Sequence, residues 1–437
     1  MPRAEWTAAQ RHGALLLVCF VGIFNLMDRQ VMTILLEPIK LEFKATDTEM
    51  GLLTGGIFAF FYAGASIPLA RLADRFPRKM VIGGSLAAWS VLTSLGGLAS
   101  SFTQLASTRL GVAIGEAGSG APTYSILADL YELKHRAKAY SCYSAATSIG
   151  IGGAVIIGGW LVDAIGWRLT LVAVGAPGVI LSLIVFTMLR EPVRGMADNL
   201  AETEADRHYG FWETLRHLFT IRTFPFLILI CGLGGTGGYG LLTWGPSFLI
   251  RAHGMSPADV GIYFGSMSIV ALVLGQLITG VVLDIAARHD LRAYMWFAGG
   301  GLLLCIPFGL IFTLANSWWL SIIGFGLLSF LISPHNMCGT VIAQTLAPPR
   351  MRATASMIIG LGTALFGTGF GPMFIGMLND LLIPRYGPLA IRYSISAALI
   401  FFGLSATAAL IAARFVRADH ARLHAYARDG MADQAIT

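Results

Sequence analysis

Four ionisable side chains lie deep inside long apolar stretches of the sequence. Asp28 and Arg29 are adjacent in one stretch, and Arg109 and Glu116 lie seven residues apart in another. A charge at the centre of a bilayer costs at least about 2.5 kcal/mol, so such residues need a partner or a water-filled cavity. The two acids are candidates for proton exchange, and the two arginines are candidates for anion binding. A buried cluster of ion pairs with a structural role is the alternative.

Helix geometry suggests that these residues meet. At 1.5 Å per residue, Asp28 lies roughly 24 Å from the inner start of its helix, and Glu116 lies roughly 18 Å from the outer start of its own. The two acids are therefore expected at similar depth. Asn25 shares a helix face with Asp28, and Thr123 shares one with Arg109 and Glu116. We expect these faces to line a central path.

The second half of the sequence offers fewer polar candidates. His335 stands beside Asn336 in an apolar stretch, where it can titrate near neutral pH or simply hydrogen-bond to its neighbours. Tyr239 and Trp244 follow a run of glycines and are candidate contacts for an apolar group. A sugar-like substrate would need more amide and carboxylate groups than this half supplies.

The elements that must position these residues are membrane helices. Hydrophobic residues make up 55% of the 437 residues and charged residues 12%, about half the charged share of a soluble protein. The five cysteines lack metal-ligand spacing, so we expect no disulfide, metal or cofactor. A spanning helix needs about 20 apolar residues. Twelve such stretches are predicted, over 12–36, 49–70, 79–99, 104–128, 137–162, 168–189, 223–250, 257–283, 291–314, 317–345, 352–379 and 388–414.

The lysines and arginines predict the orientation of these helices. Of the 30, 22 fall in segments on the side of the termini, six fall on the other side, and two lie within helices. Positive loops stay cytoplasmic, so both termini are expected in the cytoplasm and the chain in a plasma (inner) membrane. The net charge of +6 follows from this topology and gives no reason to expect nucleic-acid binding.

The chain divides at one long polar stretch. The predicted organisation is a six-helix bundle over 1–190, a cytoplasmic linker over 191–222, a second bundle over 223–416 and a tail over 417–437. Apolar residues of the linker fall on one helical face, which predicts a short helix on the membrane surface. They are Phe211, Trp212, Leu215, Leu218 and Phe219.

The two halves repeat. Thr46-x-x-Glu49 opens the second apolar stretch and Ser256-x-x-Asp259 opens the eighth, each a helix-capping pattern at an offset of 210 residues. We therefore predict an all-α polytopic membrane protein with twelve helices in two pseudo-symmetric six-helix bundles. This architecture is typical of secondary transporters.

The turn after the second helix reads Ala70-Arg71-Leu72-Ala73-Asp74-Arg75-Phe76-Pro77-Arg78-Lys79. It resembles the signature of the major facilitator superfamily, and a degenerate copy follows at Gly280, Asp284 and Arg288. The resemblance implies the major facilitator fold. It also implies an inner gate of charged residues whose pairs break and re-form as the two halves move. The residues of this gate are Asp74, Arg75, Arg78, Asp129 and Arg136.

Two further segments resemble the Spinster branch of this superfamily. They are Asn25-Leu26-Met27-Asp28-Arg29, and Arg109 to Ala117 followed by Ala121-Pro122-Thr123. Eukaryotic members of the branch carry lysolipids and sphingolipid phosphates, often coupled to protons. The resemblance implies a proton-coupled secondary transporter that acts as a monomer in the lipid bilayer on a small amphipathic anion.

Other functions are weighed against this one. An organic-anion:proton symporter or a drug exporter of the same superfamily would share the fold. A membrane enzyme would need a nucleophile with its base, or a metal cluster, at one membrane face, and the sequence has neither. It also lacks a GxxxxGK[ST] nucleotide-binding loop.

Overall fold

A computed structural model describes residues 6–194, 196, 211–286, 290–348 and 351–434. Within these ranges the chain forms helices and turns and no β-strand. Residues 197–210 of the predicted linker, and Arg288 of the second signature copy, lie outside the described residues.

The first half begins with one long helix and ends with another. A π-helical turn, Leu52–Gly56, joins α2 to α3. The helix α7 makes two passes, because Gly166 adopts a φ of 77° and kinks it there. The helices are α1 (Ala8–Phe43), α2 (Asp47–Gly51), α3 (Ile57–Arg75), α4 (Arg78–Gly96), α5 (Phe102–Glu116), α6 (Gly120–Leu130) and α7 (Leu133–Met188).

The second half repeats the pattern of long helices interrupted by π-helical turns, at Gly261–Gly265 and Thr363–Phe370. The short helix α8 falls where the surface helix of the linker is predicted. The helices are α8 (Phe211–Leu218), α9 (Thr223–His253), α10 (Pro257–Val260), α11 (Ser266–Ala286), α12 (Arg292–Leu314), α13 (Trp318–Leu346), α14 (Arg352–Gly362), α15 (Gly371–Tyr386), α16 (Ala390–Ala398) and α17 (Ile400–Gln434).

These helices make twelve membrane passes. Among the described residues, eight helical segments are long and apolar enough to cross a bilayer, and two of them, Lys138–Met188 and Thr354–Arg422, have the length of two passes each. The helix α4 and the pair α5 and α6 supply the third and fourth passes. The predicted all-α polytopic fold is confirmed.

The predicted repeat is visible in the caps of the second and eighth passes. Thr46 and Glu49 form a reciprocal capping box, with Glu49 N donating to Thr46 Oγ1 over 3.1 Å and Thr46 N donating to Glu49 Oε2 over 2.8 Å. In the second half, Asp259 N donates to Ser256 Oγ over 3.1 Å. Each cap satisfies a backbone N–H that a helix start leaves without a partner. A π-helical turn follows both caps.

Contacts group the chain into two compact units. Unit 1 comprises 1–206 and 249–269, and unit 2 comprises 207–248 and 270–437. The core of unit 2 contains a run of aromatic rings. The ring centroid of Phe312 lies 4.8 Å from that of Phe248 and 5.5 Å from that of Phe325. The segment 249–269 packs mainly with unit 1, although it comes after the linker in the sequence.

Ion pairs tie this segment to the end of α1 and the start of α2. Arg251 donates through both Nη atoms to the Asp47 carboxylate over 2.7 Å, and through Nε to Glu37 Oε1 over 2.8 Å. Lys40 Nζ lies 2.6 Å from Asp47 Oδ1. Bidentate guanidinium pairs of this kind are strong and directional.

Backbone contact between glycines ties the same segment to α7. A Cβ atom on Gly265 would lie 2.7 Å from the carbonyl oxygen of Gly152, and one on Gly261 would lie 2.8 Å from that of Val155. Real Cβ atoms essentially never come that close. Small residues spaced by four let membrane helices approach to backbone distance. The close approach therefore requires glycine at these positions.

We predict that Gly152→Ala lowers the free energy of unfolding by about 1–3 kcal/mol, because the methyl group would overlap the Gly265 backbone. Gly153→Ala is the matched control, since a Cβ there would meet nothing within 4 Å and alanine favours a helix by about 1 kcal/mol. Thermal unfolding in detergent measures both. Equal melting temperatures for the two variants would contradict the close contact.

Candidate functional site

The four deep charges predicted from the sequence meet as two ion pairs between α1 and α5. Arg29 donates to Glu116 Oε2 through Nε over 3.0 Å and through Nη2 over 2.7 Å. Arg109 Nη1 donates to Asp28 Oδ2 over 3.4 Å. Which arginine pairs with which acid, a point that spacing leaves open, is settled by this geometry.

The four groups differ in exposure. The side chains of Glu116 and Asp28 are 0% and 3% exposed and that of Arg109 is 5%, whereas Arg29 is 16% exposed. Among the described residues, Glu116 Oε1, Asp28 Oδ1 and Arg109 Nε have no hydrogen-bond partner. The two acids are close enough to interact electrostatically. The site therefore contains two buried carboxylate oxygens that can still accept a hydrogen bond, and one guanidinium, that of Arg29, that is partly exposed.

A break in the fourth pass places Glu116. An unbroken helix is predicted from residue 104 to 128, but α5 ends at Glu116 and a turn precedes α6. Glycine and serine have low helix propensity, and Ser119 Oγ donates to the Glu116 carbonyl over 3.1 Å. Asn25 Nδ2 donates to Ser119 Oγ over 3.4 Å. Thr123 is fully buried, and its hydroxyl has no partner among the described residues.

Two aromatic rings of α3 complete the site. The Arg29 guanidinium carbon lies 4.8 Å from the centroids of both Phe58 and Tyr62, and that of Arg109 lies 5.6 Å from Phe58. An arginine over a ring face gains cation–π stabilisation. The positions of the charged residues in the sequence do not point to Phe58. The signal available for it is the pair of aromatic residues four positions apart, which share one helix face.

The candidates of the second half, which all lie in unit 2, differ in burial and in hydrogen-bond partners. Trp244 is fully buried, and its indole N–H donates to the Pro372 carbonyl over 2.8 Å. His335 is buried, with Nδ1 2.5 Å from the Ile332 carbonyl oxygen and Nε2 without a partner among the described residues. Asn336 is exposed and Tyr239 is half-buried.

The glycines beside these candidates have packing neighbours. A Cβ on Gly235 would lie 3.1 Å from the Gly367 backbone, and one on Gly237 would lie 2.6 Å from the Phe402 ring. These positions therefore bring α9 close to α17 and to the π-helical turn before α15.

The inner charge cluster of unit 1 is centred on Arg78. This buried arginine contacts Asp129, donates to Glu191 Oε1 over 2.8 Å, and donates to Ser125 Oγ over 2.7 Å. Its Nη2 also donates to the Pro192 carbonyl over 2.9 Å. Glu191 is absent from the sequence-based set, because the order of residues does not show that the end of α7 returns to the start of α4.

The other predicted gate residues have different surroundings. Asp74 and Arg75 are exposed at the end of α3. Arg136 donates to the carbonyl of Ala128 over 2.8 Å, so it satisfies an acceptor at the end of α6.

Twelve helical passes, repeated caps and a buried pair of arginine–carboxylate contacts define a polytopic transporter. The model of the Major Facilitator Superfamily matches residues 18–372, and the chain belongs to this superfamily. It is a transporter and not an enzyme.

Comparison with individual proteins indicates which branch of the superfamily the chain resembles. The chain is 34% identical to an MFS-type efflux pump of Mycolicibacterium smegmatis, over 89% of this chain and 88% of that protein. It is 28% identical to human Protein spinster homolog 1, over 93% of this chain and 81% of that protein. The crystal structure of a bacterial homologue of the human lysosomal transporter Spinster matches with a TM-score of 0.86 and 30% identity, covering 95% of this chain and 99% of that one. The predicted Spinster-like membership is confirmed.

We predict that Arg78→Gln destabilises unit 1 by about 3–5 kcal/mol, because removing one partner of a buried ion pair leaves the other without a counter-charge. Here Asp129 and Glu191 would both lose it. Arg75→Gln is the control, since Arg75 is exposed. The melting temperature of the purified protein measures the difference. A fall of the same size in both variants would show that Arg78 acts only through general positive charge.

Proposed function

We propose that this protein is a proton-coupled secondary active transporter that works by alternating access on an amphipathic anion of the lysolipid or sphingolipid type. The observation that carries the proposal is the position of Arg29. It is the most exposed of four deep charged groups, it pairs with the fully buried Glu116, and it lies against two aromatic rings. An ion pair of this kind can exchange its acid for a substrate anion.

Proton coupling would act through the acid of each pair. Ionised Glu116 holds the Arg29 guanidinium with two hydrogen bonds. Protonation of Glu116 removes the negative charge, so the guanidinium becomes free to bind the anionic group of a substrate. Deprotonation restores the pair and displaces the anion. Asp28 would gain and lose a proton beside its partner Arg109 in the same way, and because Arg109 is more buried than Arg29, we expect Arg29 to make the first contact with the substrate.

The substrate class rests on the chemistry of Arg29 and on the resemblance to the Spinster branch. A guanidinium forks two parallel N–H donors toward a phosphate or carboxylate. The half-buried ring of Tyr62 offers apolar surface beside it, which suits a headgroup attached to a chain more than a small hydrophilic anion. The membrane is proposed to be the plasma (inner) membrane with both termini in the cytoplasm, in agreement with the excess of positive residues on that side.

A drug exporter is the second candidate function. The relative named as an MFS-type efflux pump is 34% identical to this chain over most of both lengths. Efflux of an amphipathic compound would use the same fold and the same proton sites, but it would not need a guanidinium for recognition. The two functions therefore differ in their dependence on Arg29.

We predict that Glu116→Gln and Asp28→Asn each abolish substrate accumulation driven by a pH gradient in proteoliposomes, while exchange between equal pools of substrate continues. Exchange does not require net proton movement, so a coupling residue should affect only the gradient-driven flux. Glu213→Gln, at an exposed position of α8, is the matched control. If both site variants respond to the gradient as the wild type does, the proton assignment is wrong. If exchange and stability are lost as well, the charges form a structural cluster.

We predict that Arg29→Ala weakens binding of a lysophosphatidylglycerol about 10- to 100-fold, because a hydrogen bond to a charged group contributes about 1.5–3 kcal/mol. Binding of the monoacylglycerol with the same chain should change less than about twofold. Arg29→Lys should fall between wild type and Arg29→Ala, since it keeps the charge without the fork. Arg75→Ala controls for surface charge.

Equilibrium binding to the purified protein measures these affinities. An equal loss for the charged and uncharged ligands would contradict recognition of the anion. Tight binding of a small hydrophilic anion would favour an organic-anion symporter, and binding of cationic drugs that is independent of Arg29 would favour an exporter.

A further inference from the structure

A cavity lies at the end of unit 1 where the chain begins, far from Arg29. It has a volume of about 490 Å³ and is formed by the start of α1, the residue after α6 and the start of α7. Arg11 and Arg29 are 18 residues apart on α1, roughly 27 Å at 1.5 Å per residue. The cavity is lined by Trp6, Arg11, His12, Tyr131, His135 and Lys138, among others.

The charged groups of this cavity are basic and lack acidic partners. Within the described residues, no carboxylate lines the cavity and none pairs with Arg11 or Lys138. Arg11 Nε is buried and has no hydrogen-bond partner in that part of the chain. By contrast, Arg29 and Arg78 are each paired with an acid. An unmatched basic cavity of this kind favours an anionic ligand.

Aromatic side chains shape the cavity. Tyr131 is buried, its hydroxyl donates to the Arg11 carbonyl over 3.3 Å, and the same hydroxyl lies 3.1 Å from His12 Nδ1. Trp6 is also buried, and the Arg190 guanidinium lies 5.5 Å from the centroid of its ring. Tryptophan and tyrosine are common at the level of lipid headgroups. These contacts hold the Arg11 backbone and the His12 ring against Tyr131.

The surface next to the cavity is apolar and exposed. His12, Leu16 and Phe20 follow one another at intervals of four along α1, so they share one face. Leu16 and Phe20 are exposed large hydrophobic residues. A ligand with its phosphate at Arg11 could therefore lay a chain along this face. A free inorganic phosphate has no apolar chain and would make no contact with this face.

We propose that this cavity binds the headgroup phosphate of an anionic phospholipid from the surrounding leaflet, with an acyl chain along Leu16 and Phe20. Basic pockets between membrane helices bind anionic headgroups by the same combination of charge and depth. The bound lipid would join α1 to α7 at the end of the bundle, and it would be a resident of the protein instead of its cargo.

Native mass spectrometry of the purified full chain tests the proposal with dioleoylphosphatidylglycerol and dioleoylphosphatidylcholine as probes. The variants are Lys138→Gln, at an exposed position, and the double variant Arg11→Gln/Lys138→Gln. The matched control removes two exposed charges elsewhere, in Arg414→Gln/Arg422→Gln on α17. Melting temperatures without added lipid check that each variant is folded.

The expected result is retention of phosphatidylglycerol over phosphatidylcholine, reduced at least about tenfold in the double variant and severalfold in Lys138→Gln, and unchanged in the control. Excess sn-glycerol 3-phosphate or inorganic phosphate should not displace the lipid. Equal retention of the two lipids, or equal loss in the control, would overturn the proposal. Displacement by either soluble anion would assign the cavity to a free phosphate and overturn the lipid assignment.

Discussion

The structure of unit 1 depends on one electrostatic constraint, that a charge at the depth of a bilayer needs a partner of opposite charge or a water-filled cavity. An isolated charge exposed to lipid would be too costly to keep. Arg29 and Glu116, with Asp28 and Arg109, satisfy the constraint only when α1 and α5 lie side by side at one depth. The ion pairs therefore fix the register of the helices that form the proposed site.

The two units stabilise their helices inside the membrane in different ways. Unit 1 carries paired charges at its centre and a second charge cluster around Arg78. Unit 2 relies on glycine contacts and on hydrogen bonds from buried side chains to backbone carbonyls, such as that from Trp244 to Pro372. A proton or an anion bound in unit 1 would therefore change the electrostatics of that unit directly. In unit 2 the corresponding response would be a change in packing.

The sequence predicts the helices and the depth of the charges well, because apolar length and rise per residue determine both. It also predicts the caps at Thr46 and Ser256, since a capping pattern is local. It does not predict the break after Glu116 or the contact of Glu191 with Arg78. Low helix propensity alone does not locate the break, which also involves Gly118, where a Cβ would overlap Ser85 Oγ on α4. The Glu191–Arg78 contact joins residues more than 100 positions apart. The periodicity of residues within one helix does not predict which residues of another helix they contact.

The glycine contact between α7 and the 261–265 turn has a further consequence. Much of this contact is backbone, which has no rotamers to reset, and the side chains of Ile156 and Ile269 border it. One helix can therefore roll across the other with few side chains leaving and refilling pockets. We call this contact between α7 and residues 261–265 the seam. It permits motion because few side chains interlock across it. The ion pairs of Arg251 with Glu37 and Asp47 lie at one end of the same segment. Their length and direction would limit how far the seam can turn before a charge loses its partner.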